Sequence, residues 1–99
     1  VTPEAKVKRK VRLILDALGI YNFMPPANGY GRAGIPDIVG CYNGRFIAIE
    51  CKAGKGTLTE LQKRELERIK DACGLAYVIN ESNVDQLKEL ITNETDSRG

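Results

Sequence analysis

The sequence predicts an α/β domain. A helix, three strands, a second helix, a fourth strand and a last helix follow one another around a four-stranded mixed sheet. Three observations carry this reading. Val7, Val11, Ile14, Leu15 and Leu18 repeat at helical spacing after Thr2-Pro3-Glu4, a helix start with a capping hydroxyl, a proline and an acid in order. Two apolar, β-branched runs flank Asn43-Gly44, the strongest short-range signal for a two-residue hairpin turn. A further helix-period stretch separates that hairpin from Leu75-Ala76-Tyr77-Val78-Ile79, so the third and fourth strands should run parallel through a right-handed crossover.

In chain order, the first helix ends at Gly19, and Ile20 to Met24 reads as a short strand closed by Pro25-Pro26. The loop from Ala27 to Gly34 contains Gly29, Gly31 and Gly34 in a formal G-x-G-x-x-G pattern. It leads through Ile35-Pro36 into a strand rather than a helix, so no dinucleotide site and no nucleotide cofactor are expected. With Tyr30 and Arg32 on it, the loop suits close approach of a nucleic-acid backbone, or is a plain connection. After the hairpin, Ala53-Gly54-Lys55-Gly56 is a basic turn. Thr57 or Thr59 then caps a helix, in a capping box with Glu60 or Gln62 respectively. That helix should run to about Cys73, with Leu58, Gln62, Leu66, Ile69 and Cys73 inward. Gln62, its one polar inward residue, is either a satisfied amide or a group aimed at a site, and its place in the first turn favours the second. Ser82 with Asp85 opens the last helix, whose apolar face is Val84, Leu87, Leu90 and Ile91.

Ninety-nine residues make one domain, 1–99, with an ordered core over about 3–91 and a polar tail over 92–99. The net charge is only +2, but the basic residues are uneven: Lys6, Lys8, Arg9, Lys10 and Arg12 crowd the first helix, and Lys52, Lys55, Lys63 and Arg64 follow the hairpin. Such clusters are either a local phosphate-binding patch or a solvated helix face. Cys41, Cys51 and Cys73 lack C-x-x-C spacing and histidine is absent, which argues against a zinc site or a disulfide framework. Buried reduced thiols and a cytoplasmic location are expected. No apolar run reaches membrane-spanning length, so no membrane partner is expected.

The hairpin carries the chemistry. With Asn43-Gly44 as the turn, Tyr42 pairs with Arg45, and counting down places Asp37 opposite Glu50 with Lys52 on the same face as Glu50. Opposed side chains lie roughly 5 Å apart at Cβ, and like charges there destabilise a sheet. A divalent cation between them relieves the repulsion, because two carboxylates form a hard-oxygen half-site. Both hairpin faces are otherwise apolar: Val39, Cys41, Phe46 and Ala48 on the acidic side, Ile38, Tyr42, Ile47 and Ile49 on the other. That argues against a merely solvated edge. Glu4 falls on the inward stripe of the first helix, where it either complements the helix dipole or serves as a third acid.

Pro36-Asp37 followed by Glu50-Cys51-Lys52 resembles the PD-(D/E)XK nuclease pattern, and the element order resembles that superfamily's restriction-endonuclease-like αβββαβ core. More narrowly, Gly34-Ile35-Pro36-Asp37-Ile38-Val39-Gly40, Glu50-Cys51-Lys52 and Leu58-Thr59-Glu60-Leu61-Gln62 together resemble the VRR-NUC (virus-type replication-repair nuclease) domain, in its stand-alone phage-type form. The likeness extends from about Glu4 to Ile79. Cysteine is not the commonest middle residue of E-x-K, although its carbonyl can still serve as a ligand. The resemblance implies a DNA endonuclease dependent on Mg²⁺ or Mn²⁺, acting on branched or junction DNA in phage or bacterial replication, repair or recombination, with a homodimer as the usual state. Carried over, Asp37, Glu50 and the Cys51 carbonyl would bind metal, with Glu4 as a further ligand directly or through water. Lys52 would orient or deprotonate the attacking water, and Gln62 matches the helix glutamine near the site. Tyr30, Arg32, Lys55, Lys63 and Lys8 are the candidate DNA contacts. The rival readings are a non-catalytic nucleic-acid-binding module on the same fold and a small protein-interaction domain.

Overall fold

In the computed structural model, which describes residues 1–26 and 33–96, the elements follow the predicted order. They are α1 (Pro3–Ala17), β1 (Tyr21–Phe23), β2 (Ile38–Tyr42), β3 (Arg45–Cys51), α2 (Glu60–Asp71), β4 (Leu75–Ile79) and α3 (Leu87–Asp96), the last preceded by a 3-10 turn at Val84–Gln86. The sheet order is β1-β2-β3-β4. β1 and β3 each pair antiparallel with β2, and β4 pairs parallel with β3, as the long connection through α2 allows. No helix among the described residues is long and apolar enough to cross a membrane.

Local chemistry sets the boundaries. Thr2 Oγ1 accepts the Ala5 N–H at 3.1 Å, and Pro3 opens α1. At the other end Gly19 takes φ +74°, its N–H donating to the Asp16 carbonyl at 3.0 Å and that of Ile20 to Leu15 at 2.9 Å. This paired closure satisfies carbonyls the helix leaves open. α2 ends the same way one residue earlier than the sequence suggests. Cys73, not Gly74, takes the left-handed conformation, at φ 70°, and the Gly74 N–H closes on the Ile69 carbonyl at 2.8 Å. Cys73 is therefore exposed rather than on the inward stripe. In the hairpin, Asn43 and Gly44 both have positive φ, 52° and 81°, which matches the strand twist and fixes the register from Tyr42↔Arg45 to Ile38↔Ile49.

β3 is buried on both faces from Ile47 to Cys51. On one face Ile38, Ile47 and Ile49 pack with Val11 and Leu15 of α1 and Leu87 and Ile91 of α3. On the other, Val39, Ala48 and Ala76 pack with Leu66 of α2. Each fully buried aliphatic side chain contributes roughly 1.5–3 kcal/mol, enough for two thin cores to hold one sheet.

Three expectations are corrected. α2 sits over β3 and β4, so the tip of the hairpin stays open: Cys41 is exposed and Phe46 is 48 % exposed. Of the three free thiols only Cys51 is buried. The last helix starts at Leu87 after the 3-10 turn, exposes Leu90, and runs through Asp96 where a polar tail was expected from Thr92.

At Gly40 the backbone of β1 comes close to β2, since a Cβ there would run into the Tyr21 carbonyl oxygen of β1. Gly40→Ala is expected to lower stability by about 1–3 kcal/mol, the usual cost of overpacking. Urea unfolding measures it, and an unchanged midpoint would contradict the close approach.

Candidate active site

Asp37 stands one residue before β2, in a bend, where the backbone ladder with β3 ends. Its Oδ2 accepts the Cys51 N–H at 2.8 Å, in place of a strand carbonyl. The N–H and C=O of one strand residue project the same way, so the Cys51 carbonyl also faces the Asp37 side. The Lys52 N–H turns the opposite way, to the Ile79 carbonyl of β4 at 2.9 Å. The hairpin register thus brings Asp37 to the open end of β3, beside Glu50, as the sequence predicts.

Glu50 is the anomaly of the interior. It is 2 % exposed, and its buried Oε2 has no hydrogen-bond partner among the described residues. Burial pushes its carboxyl pKa up to about 8. Asp37 adds to this, first as a hydrogen-bond partner of the protonated form and then as a like charge; Lys52 opposes it, and Glu4 adds a smaller push. A buried carboxyl with an orphaned oxygen beside a second carboxyl is costly in an apolar surrounding. A hard cation offsets that cost. The donor set, two carboxylates and a main-chain carbonyl at one strand end, fits such an ion.

Lys8 and Glu4 complete the cluster from α1. The Lys8 ammonium lies 3.3 Å from Glu4 Oε2 and 3.6 Å from Asp37 Oδ1. Burial pulls its pKa down, but Asp37 and Glu4 more than offset this and hold it above the ordinary lysine value. Lys8, expected among the DNA contacts, bridges Glu4 and Asp37 here; the i, i+4 spacing signals its pairing with Glu4, and the packing of α1 brings it to Asp37. Among the described residues no three His, Cys, Asp or Glu side chains gather as a metal set. The acids brought together are Asp37 and Glu50, with Glu4 joined to them through Lys8. The Cys51 thiol is pushed up to about 12, by burial and then by Asp37, so it stays protonated and inert.

The remaining candidates fall around this centre. Gln62 is half-buried, and its Oε1 accepts the Thr59 N–H at 2.9 Å while Thr59 Oγ1 accepts the Gln62 N–H at 3.1 Å. Of the two capping boxes the sequence allows, Thr59 with Gln62 forms. The carbonyl of this side chain is therefore committed to the helix start, which leaves its NH₂ end for a site role. Gly34 takes φ +84° against this same turn, where a Cβ would lie 2.6 Å from the Leu61 carbonyl, so the segment leading to Asp37 is seated on α2. Beyond Lys52, the Gly54 N–H donates to Glu81 Oε1 at 2.8 Å, fixing the turn that follows β3. Lys55 is exposed, and Lys63 pairs with Glu60 at 3.5 Å. Tyr30 and Arg32 lie outside the described residues.

The raised Glu50 value has a consequence for folding. Between the ordinary carboxyl range and about 8 the folded, metal-free chain holds a proton that the unfolded chain has released. Its stability is therefore fully present below the ordinary range and falls as pH rises through about 8. The loss should be on the order of a few kcal/mol. Glu50→Gln should flatten the profile in chemical denaturation from pH 5 to pH 9; a wild-type profile that rises over that window would contradict the assignment.

A family model described as archaeal Holliday junction resolvase (Hjc) matches residues 4–92. Among the solved structures that match is one titled "VRR_NUC domain", with a TM-score of 0.73 and 24 % sequence identity over 90 % of this chain and 97 % of that one. At that identity the likeness shows the fold, which is the VRR-NUC-like core read from the motifs. No curated protein matches the sequence. With Pro36-Asp37 and Glu50-Cys51-Lys52 meeting at one strand end inside a family match that takes in nearly all of α1 to α3, the chain belongs to the archaeal Holliday junction resolvase family, nucleases of the PD-(D/E)XK type.

Proposed function

We propose that this chain is a divalent-metal-dependent endonuclease that hydrolyses phosphodiester bonds in branched or four-way DNA. The observation that carries the reading is the buried Glu50 carboxyl, its Oε2 without a partner among the described residues, set against Asp37 at the end of β3. Asp37, Glu50 and the Cys51 carbonyl would hold Mg²⁺ or Mn²⁺, with Glu4 as an outer ligand. When bound, the ion supplies phosphate neutralisation and a more acidic water. Lys52, on the Glu50 side of the strand, would orient the attacking water against the phosphate. The Gln62 NH₂, left free by the capping box at the first turn of α2, would steady the same water. Asp37 is oriented by the Cys51 N–H, so the acid that holds the ion does not have to be reorganised for the reaction.

The substrate follows from chemistry of scale as well as family. The basic residues of α1 and the turn after β3 offer phosphate contacts in local patches rather than over the whole surface. Lys55 of that turn, Lys63 of α2, Tyr30 and Arg32 are the proposed contacts. Opening a four-way junction takes paired cuts, whereas the described residues of one chain carry one acidic pair; a homodimer would supply the second. A role in phage or bacterial replication, repair or recombination, in the cytoplasm, goes with that substrate.

Incubating the protein with linear, flapped and four-way DNA, with Mg²⁺, Mn²⁺ or chelator, tests this reading. Cleavage should need the ion and favour the branched substrates. Asp37→Asn, Glu50→Gln and Lys52→Met should each lower the rate at least about 100-fold with an unchanged circular dichroism spectrum. Wild-type cleavage by any one of them, or full activity in chelator, would overturn the proposal.

A further inference from the structure

We propose that Lys8 is a built-in competitor for the metal, its ammonium holding Asp37 and Glu4 together until a divalent ion takes its place. The inference rests on the metal-binding reading of Asp37 and Glu50 and adds a control on how that site is filled.

The two oxygens of Asp37 are not equivalent. Oδ2 is committed to the Cys51 N–H at 2.8 Å, a bond that fixes the side chain to β3. Oδ1 is the oxygen left to meet an ion, and it is the one that faces the Lys8 ammonium at 3.6 Å. The same ammonium lies 3.3 Å from Glu4 Oε2, so one cation bridges two of the acids assigned to the metal. An ion entering on Oδ1 meets like charge at contact range, and in a partly buried setting that repulsion is weakly screened. Lys8 must swing away for the ion to be seated.

It has somewhere to go. A groove of about 450 Å³ along α1 is lined by Lys8 itself with Arg9, Arg12, Asp16 and Met24, three cations to one acid. A second hollow, of about 260 Å³, is lined by Lys8, Pro25, Pro36 and Asp37. Lys8 thus stands between the acidic centre and a basic groove, with its side chain 30 % exposed. Its release would free Glu4 toward the ion and turn the ammonium toward Arg9 and Arg12 in the groove, where an anionic backbone would complement it. Before the ion arrives, the lysine offsets the charge of Asp37 from 3.6 Å.

The test is direct binding of Mn²⁺, followed through the free-ion signal in electron paramagnetic resonance, without DNA and without turnover. Removing the competing charge should tighten Mn²⁺ binding by about tenfold in Lys8→Met and in Lys8→Gln. Lys10→Met serves as the control for net charge, since Lys10 is on the same helix but pairs with Asp85 at 3.6 Å, away from the centre; its affinity should stay at the wild-type value. If both Lys8 variants bind as the wild type or the Lys10 variant does, or more weakly, the competitor role is overturned while the metal site stands. If the wild type itself binds no Mn²⁺, or Asp37→Asn binds it equally well, the metal-binding reading fails, and this inference with it.

Discussion

Two carboxyls forced together at the open end of a hairpin set the terms for the rest of this molecule. The type of turn at Asn43-Gly44 fixes the register, the register opposes Asp37 and Glu50, and burial of β3 on both faces keeps water from relieving them. A sheet chosen for stability alone would place an aliphatic pair there, since the interior contributes favourably only when polar groups are satisfied. Oε2 of Glu50, without a partner among the described residues, is what that conflict leaves. On the proposed reading, the same arrangement with a cation in reach becomes an oxygen site.

Neighbouring elements answer the conflict from different directions. α1 brings Glu4 and Lys8, β3 continues into Lys52, and the Cys51 N–H takes one oxygen of Asp37. α2 contributes more by what it fixes than by what it presents. Its capping box and the close contact of Gly34 with Leu61 anchor the segment that delivers Asp37 to the sheet. The turn after β3 is held by Glu81, from the far side of β4, so each end of the Asp37–Lys52 constellation is tied to a different part of the fold. Ties of that kind hold a site at fixed geometry without a large core.

Much of this was legible in the sequence because the signals are local and mutually consistent. Asn43-Gly44 specifies both turn and register, and Thr2-Pro3 and Thr59 with Gln62 announce helix starts through side chains that satisfy free N–H groups. The parts that were not legible depend on which element covers which. Periodicity put Cys41 and Phe46 on an apolar face, but α2 covers only the β3–β4 half of the sheet, and no local pattern encodes that. Glu65, buried on α2 and paired with Arg68 at 3.7 Å, is a charged residue that hydropathy reads as exposed. Lys8 is the instructive case. As one of five basic residues on α1 it reads as surface charge, and only the packing of α1 against the sheet brings it to Asp37.

The central claim is that the acidic end of β3 is a place for one divalent ion. Crystals grown with Mn²⁺ and measured at the manganese absorption edge test it most directly. The account predicts a single strong anomalous peak within coordination distance of Asp37 Oδ1, a Glu50 carboxylate oxygen and the Cys51 carbonyl. A protein soaked to saturation that shows no peak there, or shows the ion elsewhere while Asp37 and Glu50 remain face to face, would contradict it.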